Sequence, residues 1–308
     1  MQTKSISRRH HYLPQAYLAQ FTETQSKDGY LYAFDMRTGR SFRTTPLKVA
    51  TQRDFNRVDI EGHPPDAIEN ALSSFEGQAA LAIRRVIDTQ RFPNNKDYNL
   101  ILNLLGLIAV RNPKLRNAFN NAREASLRKI SERLVSKKER WERQVKSANE
   151  AGYETPEQVS YEDAKRFVES GKYSFEFHPE GNLRIEFKTF DEILPLLGKR
   201  TWTVLVAPDD GPEFICSDHP VTISWKGGRS GPIGLDLENT EVYFPLGRRV
   251  GFLGMFEDHP RPVERCKPGY VARMNARVAR NALRQIYFTC NRISIWINDE
   301  IREIQCEA

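Results

Sequence analysis

The sequence predicts an α+β fold: an N-terminal helix and β-hairpin, a central helical bundle with a long basic helix, and a C-terminal, mainly antiparallel β region. Two observations support this prediction. Apolar residues recur every three or four positions through the middle of the chain, and short β-branched and aromatic runs separated by turn residues fill its last third. With 308 residues and 39% hydrophobic content, the chain can bury a full-sized core. We expect one large domain over 1–308, in which 1–9 form a mobile tail.

The first structured region, 10–60, is expected to hold a helix, a hairpin and one further strand. Pro14 suits the first turn of a helix, where its missing N–H has no intrahelical partner to lose. Beyond Gly29 the pattern becomes strand-like, with aromatic and β-branched residues on either side of a turn. We predict a helix at 14–22, hairpin strands at Tyr30–Asp35 and Ser41–Thr45, and an extended segment at Phe55–Ile60.

The second region, 64–150, is expected to be helical. Apolar residues at helical spacing run from Ile68 to Val86 and indicate an amphipathic helix. Between Asn95 and Ile108 they cover most of the circumference, which predicts a buried central helix. A basic helix follows to about Ala148, then a linker, and then a short helix at Pro156–Ser170.

The last region, 172–300, is expected to be rich in β structure. Alternating runs on either side of Gly181 predict a hairpin with strands at Tyr173–His178 and Leu183–Phe187. One helix is predicted at Ala272–Leu283. The other predicted strands are Leu205–Ala207, Glu213–Cys216, Val221–Trp225, Val242–Leu246, Val250–Phe256 and Ser294–Asn298.

Positive charge is concentrated in one part of the chain. The net charge is +6, whereas residues 111–146 hold twelve Lys or Arg and four Glu, a surplus of eight. Such a segment can attract a phosphate backbone, which makes nucleic acid a candidate partner. A long solvated helix with i,i+4 ion pairs, such as Glu124 with Arg128, is the alternative explanation. The oligomeric state is left open.

Several classes of protein are disfavoured. The sequence has no uninterrupted apolar run of about eighteen residues, so we expect no membrane partner. Its basic start, Met1–Arg9, lacks the apolar stretch of a secretory signal. Four scattered cysteines form no CxxC pair, which favours a cytoplasmic location. Phosphate-binding GxxxxGK[ST] and GxGxxG loops are missing. The cofactor stays unknown, since a divalent metal is compatible with the sequence but not indicated by residue spacing.

A motif ahead of the first helix concentrates titratable and aromatic groups: His10-His11-Tyr12-Leu13-Pro14-Gln15. Successive side chains of an extended segment point to opposite sides, so at most one imidazole is expected to face a pocket. An imidazole can act as a general acid, a general base or a metal ligand. A purely structural role at the start of the helix is the alternative. We assign catalytic roles to His11, His10 and Gln15, and substrate contacts to Tyr12 and Tyr17.

A second polar motif lies between two strand-like runs: Cys216-Ser217-Asp218-His219-Pro220. Turns between strands often present functional side chains. We assign Asp218 as the catalytic partner of His11, and Ser217 as a substrate contact. An Asx-type turn that satisfies backbone amides explains the same residues equally well.

Two carboxylates, Glu69 and Glu76, lie seven residues apart on a predicted helix. That spacing is about two turns, so both project from nearly the same face. Paired carboxylates can bind a divalent cation, but the expected Glu-x-x-His partner is missing. A solvated helix edge is the favoured interpretation.

These motifs resemble a bacterial family known as domain of unknown function 4238, whose hallmark is His-His-Tyr-x-Pro-Gln. Ser217–Pro220 is similar to a later Ser-Asp-x-Pro, Arg111–Pro113 to an Arg-x-Pro after an apolar helix, and Asn275 to a late asparagine. The resemblance spans about residues 10–290. His219 departs from it, because the family commonly has asparagine there. The resemblance implies a single large domain and brings no established reaction.

The leading functional hypothesis is a cytosolic nucleic-acid-processing protein, a nuclease of a mobile-element or phage-defence type. Phosphodiester cleavage needs a proton shuttle and charge stabilisation. The shuttle would be His11 with Asp218, and Arg111 with the basic helix would hold phosphates. Two alternatives stay open: a non-enzymatic binding protein whose motifs are structural, and a small-molecule hydrolase.

Overall fold

The structure, a computed structural model, describes residues 8–58, 62, 64–153, 159–257 and 261–305. These residues form two units. Unit 1 holds the described residues up to Lys114 and from Pro179 onward, and unit 2 holds those of Leu115–His178. Helices and mainly antiparallel strands occupy separate stretches of the chain, which confirms the predicted α+β class.

Helices dominate the middle of the chain, and short polar residues set several of their ends. Asn94 caps a long apolar helix by accepting the Asp97 N–H at 2.9 Å, and Ser160 caps another by accepting the Asp163 N–H at 3.1 Å. The helices are α1 (Gln15–Leu18), α2 (Ala67–Thr89), α3 (Asn95–Val110), α4 (Pro113–Val135), α5 (Lys138–Glu150), α6 (Tyr161–Ser170), α7 (Pro179–Gly198) and α8 (Pro268–Asn281).

Strands occur at both ends of the chain, and those formed by the described residues all belong to unit 1. Most are short and rich in β-branched or aromatic residues, as β-propensity favours. The strands are β1 (Arg9–His11), β2 (Leu31–Asp35), β3 (Arg40–Thr44), β4 (Thr51–Arg53), β5 (Thr201–Val206), β6 (Cys216–Ser217), β7 (Thr222–Trp225), β8 (Thr240–Gly247), β9 (Val250–Met255), β10 (Val263–Arg265), β11 (Gln285–Phe288), β12 (Arg292–Ile297) and β13 (Glu300–Gln305).

A five-stranded sheet of order β10-β5-β9-β8-β7 divides the core of unit 1 into two layers. Successive side chains of a strand point to opposite faces. On β5, Trp202, Val204 and Val206 enter the layer shared with α1, α2 and α3, whereas Leu205 enters the layer shared with α8. Both faces of this sheet are therefore covered by helices or by further strands.

Two smaller sheets position the sequence motifs. β1 pairs antiparallel with β4, with His10 opposite Gln52 and His11 opposite Thr51. In the four-stranded sheet β3-β2-β11-β6, β11 pairs with the hairpin strand β2 on one side and with β6 on the other. Ser217 therefore lies in the same sheet as the N-terminal hairpin.

The hairpin predicted around Gly181 is wrong, because Pro179–Gly198 forms α7. The segment at 171–178 has no regular secondary structure. The alternation of Leu183 and Phe187 with polar neighbours suggested strands, but the apolar pattern continues at a spacing of three or four residues. The positions that follow this helical period are Leu183, Phe187, Phe190, Leu194 and Leu197.

Three other expectations change at the level of local structure. The extended segment predicted at Phe55–Ile60 is not a strand over 55–58, and 59–60 lie outside the described residues. The strand nearest to this segment in the sequence is β4, which ends at Arg53. The tail predicted at 1–9 is outside the described residues as far as residue 7, whereas Arg9 belongs to β1. The basic helix is divided into α4 and α5, because Lys137 adopts an extended backbone with φ of −143°.

Unit 2 has little apolar core. Among its described residues only Arg116, Val135 and Ala164 are buried, and Ile130 and Phe167 are 61% and 58% exposed. Polar contacts contribute instead: the Arg128 guanidinium donates to Glu124 and to the Tyr173 carbonyl. The sequence of the whole segment 115–178 contains thirteen basic and eleven acidic residues, so the local surplus of the basic helices is nearly balanced within unit 2.

Candidate functional site

The strand pairing of β1 with β4 separates the two adjacent histidines. His10 is 3% exposed, and its Nδ1 accepts the backbone N–H of Asn56 at 2.9 Å. The His10 side chain lines a cleft, but its Nδ1 is occupied by this hydrogen bond, which holds the turn that follows β4. His10 therefore contributes to the fold through a buried hydrogen bond.

His11 lines the cleft with its half-buried imidazole. The cleft has a volume of about 610 Å³ and is bordered by Arg9, Lys48 and Glu69 among others. The ring Nε2 lies 3.2 Å from the Leu47 carbonyl, which makes Nε2 the protonated nitrogen. The Gln15 amide lies 3.3 Å from the other nitrogen, Nδ1. Both contacts fix the tautomer and direct the Nδ1 lone pair to the Gln15 side.

Burial lowers the pKa of His11, and the Leu47 carbonyl and the Glu69 carboxylate oppose this effect. The net direction is downward from the ordinary value of 6.5. His11 is therefore mainly neutral at pH 7, which is the form that can accept a proton.

Asn56 connects the groups around the cleft. It is 1% exposed, its Nδ2 donates to the Glu69 carboxylate and, at 3.4 Å, to the His11 carbonyl, and its Oδ1 accepts from Arg111 at 2.7 Å. Its backbone N–H is the one that His10 accepts. Asn56, one residue in a turn, thus connects the His10 ring and the His11 backbone to the carboxylate on α2 and to the cation that follows α3.

The two carboxylates on α2 are partly buried, contrary to the favoured expectation of a solvated helix edge: Glu69 is hydrogen-bonded to this network, and Glu76 interacts with it by charge. Glu69 lines the cleft and accepts from Asn56. Burial raises the pKa of Glu76 to about 7, and the negative charge of Glu69 adds to this rise, whereas the positive charge of Arg111 opposes it. The carboxyl group of Glu76 is therefore near half-protonation at neutral pH.

The other aromatic residues of the first motif point into the protein. Tyr17 has no exposed surface, donates its hydroxyl to the Pro245 carbonyl at 2.7 Å and stacks on Phe244. Burial raises the pKa of Tyr12, whose hydroxyl is hydrogen-bonded to that of Tyr287. Tyr17, predicted as a substrate contact, is thus a core residue, and Tyr12 points away from the His11 cleft toward β11.

The second motif satisfies backbone groups. The Asp218 carboxylate accepts three successive backbone N–H groups after α8, those of Leu283, Arg284 and Gln285, at 2.7–2.9 Å. Burial raises the pKa of Asp218 against the opposing effect of these amides. The Ser217 hydroxyl, fully buried, accepts the backbone N–H of His219 at 3.2 Å. This is the turn chemistry proposed as the structural alternative.

His219 extends the same buried network. Its Nδ1 lies 2.6 Å from the Asn281 side-chain amide, and Asn281 in turn accepts from the Lys114 ammonium at 2.9 Å. Burial, with help from the positive charge of Lys114, lowers the pKa of His219 to about 4. His219 is therefore neutral at pH 7 and holds the end of α8 to the Ser217 turn.

The structure brings His11 to Glu69 rather than to Asp218. Both ring nitrogens of His11 and both carboxylate oxygens of Asp218 have other partners among the described residues. Arg111 reaches the cleft network through Asn56, although it is only 3% exposed. Asn56 was missed from the sequence, where a single asparagine in a turn carries no motif.

The part of the chain that the structure describes contains no group of three or more His, Cys, Asp or Glu side chains arranged to hold a metal ion. Within the same residues, no helix has both the length and the apolar character needed to cross a bilayer.

Fold and site together define an α+β protein with a cleft that is lined by the His11 imidazole and the Glu69 carboxylate. The model of the family described as "Protein of unknown function (DUF4238)" matches residues 9–291, so the chain belongs to this family. This confirms the resemblance inferred from the motifs. No curated protein and no solved structure matches the chain.

Proposed function

We propose that the protein is an acid–base phosphodiesterase that cleaves RNA in the His11 cleft. The observation that carries the proposal is the position of a neutral, oriented imidazole beside the carboxylate of Glu69, with the cations Arg9 and Lys48 at the same cleft. Acid–base catalysis requires two groups of different protonation state within reach of one substrate. Cations beside them can stabilise a phosphate that gains negative charge.

In this mechanism the 2′-hydroxyl of the substrate is the nucleophile. His11 Nδ1 takes the proton of that hydroxyl, in place of the long 3.3 Å contact from Gln15. The 2′-oxygen bonds to phosphorus, the bond from phosphorus to the 5′-oxygen breaks, and a 2′,3′-cyclic phosphate forms. The departing 5′-oxygen takes a proton from the carboxyl group of Glu69, which lines the cleft, so the mechanism uses the protonated form of Glu69 as its general acid.

The cations proposed to contact the substrate differ from those assigned from the sequence. Arg9 and Lys48 line the cleft directly, whereas Arg111 acts from behind it through Asn56. The overall charge of +6 favours a polyanionic substrate. A reducing, cytoplasmic location agrees with the free thiols of Cys216, Cys266 and Cys290.

Cleavage of a labelled single-stranded RNA, followed by gel analysis, tests the proposal. We expect His11→Gln and Glu69→Gln each to reduce the cleavage rate about 100-fold or more, the usual contribution of a general acid or base. The matched controls are His178→Gln, in unit 2, and Glu192→Gln, on the exposed side of α7. Both controls are expected to cleave at the wild-type rate.

A single-stranded DNA of the same sequence provides the second arm. It lacks the 2′-hydroxyl, so the proposed mechanism predicts no cleavage. Cleavage of RNA and DNA at equal rates, or full RNA cleavage by His11→Gln, would exclude the mechanism. An inactive wild-type protein would favour the alternative of a non-enzymatic binding protein, which the structural use of His10, Tyr17 and Asp218 supports.

A further inference from the structure

A second cleft of unit 1 combines aromatic rings with a buried cation. Its volume is about 430 Å³, and it lies where α3 and β5 begin. It shares no lining residue with the His11 cleft. The residues that line it are Phe92, Asn95, Tyr98, Arg200, Thr201, Trp202, Arg261 and Pro262.

The aromatic side chains of this cleft form a connected cluster. The rings of Phe92 and Tyr98 are 5.9 Å apart, and Phe252 lies behind them, 6.1 Å from Phe92. Trp202 stacks on Phe252 with centroids 4.6 Å apart and ring planes only 20° from parallel. Phe92 is nevertheless 37% exposed at the surface. Large flat apolar side chains that remain accessible beside a cavity suit a flat ligand.

Arg200 places a positive charge in the wall of the same cleft. It is 3% exposed, and its guanidinium donates only to neutral oxygens, those of Leu235 and Thr240 at 2.7–2.8 Å and, more weakly, of Gly254. Within the described residues, no carboxylate lies within ion-pair distance of Arg200, and its Nε has no partner. Burial lowers the pKa of this group, and the Glu257 carboxylate opposes this effect from beyond ion-pair distance. The guanidinium carbon also lies 4.2 Å from the centre of the Phe256 ring.

Arg200 makes no ion pair within the described residues, so the more distant Glu257 carboxylate compensates its buried charge only in part. Arg200 lies at the wall of an open cleft, so an anionic group bound there can supply that compensation. The rim adds a second cation, Arg261, and the polar side chains of Asn95 and Thr201. The cleft thus offers stacking surfaces and positive charge side by side.

We propose that this cleft binds a planar aromatic ligand that carries a negatively charged group, a phosphate or a carboxylate. The ring would lie against Phe92 and Tyr98, and the anion would face Arg200 and Arg261. The volume is within the usual range for small-ligand sites. The proposal is independent of RNA cleavage in the His11 cleft.

Isothermal titration calorimetry with the full chain tests the proposal. The probes are two pairs that differ in charge: AMP with adenosine, and benzoate with benzyl alcohol. We expect at least one anion to bind about tenfold or more tightly than its neutral partner, and the pair that shows this difference identifies phosphate or carboxylate as the preferred group. Equal binding within both pairs, or no binding of either anion, overturns the proposal.

Two variants locate the binding site. Phe92→Ser is expected to weaken binding of the preferred anion about tenfold, because it removes the accessible ring. Phe42→Ser, on β3, is the matched control, since Phe42 is 38% exposed and lies outside the cleft. His11→Gln provides a second control and should leave binding unchanged. Equal affinity for Phe92→Ser and Phe42→Ser would place the ligand elsewhere and refute the assignment.

Discussion

The two polar motifs of this chain look alike in composition but are used differently. In the Ser217-Asp218-His219 turn, all three side chains bind backbone groups or a buried amide. In the His10-His11 strand, one imidazole holds a buried amide, whereas the other reaches a cleft that also contains Glu69. The difference teaches that a functional residue is recognised by polar atoms that remain accessible to a ligand. Residue type alone does not show which polar atoms remain accessible.

The strongest test of this comparison is Asp218→Ala. The change leaves three backbone N–H groups without their acceptor in a buried place, so we expect a loss of about 3–5 kcal/mol in unfolding free energy. Thermal and denaturant melts measure it. Asp209→Ala, at a carboxylate that is 78% exposed, is the control and should cost less than about 0.5 kcal/mol. A stable but inactive Asp218→Ala protein would make the second motif catalytic after all.

A substitution at Asn56 tests whether the first motif depends on its connecting residue. Asn56→Leu keeps the approximate volume but removes the hydrogen bonds to Glu69 and Arg111, and we expect a loss of about 2–3 kcal/mol in denaturant melts. RNA cleavage by the folded fraction should also fall, with a shifted pH profile, because the carboxylate is no longer held. Asn99→Leu, at an exposed position of α3, is the control. An unchanged pH profile would limit Asn56 to a structural role.

The smallest expected effect is the change of unfolding free energy with pH. The pKa of Glu76 rises from 4.5 in the unfolded chain to about 7 in the folded protein. Its contribution to stability is therefore complete below about pH 4.5 and is lost as the pH rises toward 7, since the folded state binds the proton more tightly. Relative to Glu76→Gln, the wild type should lose about 1–2 kcal/mol between about pH 5 and pH 8. Parallel pH curves for the two proteins would contradict the raised pKa.

Local patterns predicted most of the fold. The apolar spacing of α2 and α3 and the continuous apolar runs of β8 and β9 are strong sequence signals, and these elements lie where expected. The segment of α7 was misread because Leu183 to Phe187 satisfies a two-residue and a helical period at once. The helical period becomes clear only over the longer stretch to Leu197, along which α7 packs against α3.

The site was less predictable because its members meet through tertiary structure. Asn56 lies 13 residues from Glu69 and 55 from Arg111, so no local spacing relates them. The same holds for Asp218, whose partners lie 65–67 residues away. Sequence could name the residue types that do chemistry, whereas the pairing of His11 with Glu69 required the fold.

The strand pairing of β1 with β4 makes the imidazole at the cleft tolerant of a one-residue shift in register. A strand that slips by one residue exchanges its two faces. Because His10 and His11 are adjacent, a one-residue slip of β1 would bury the second imidazole and turn the first toward the cleft. The doubled histidine therefore preserves an imidazole at the cleft in either register, and an insertion or deletion nearby need not remove the proton acceptor.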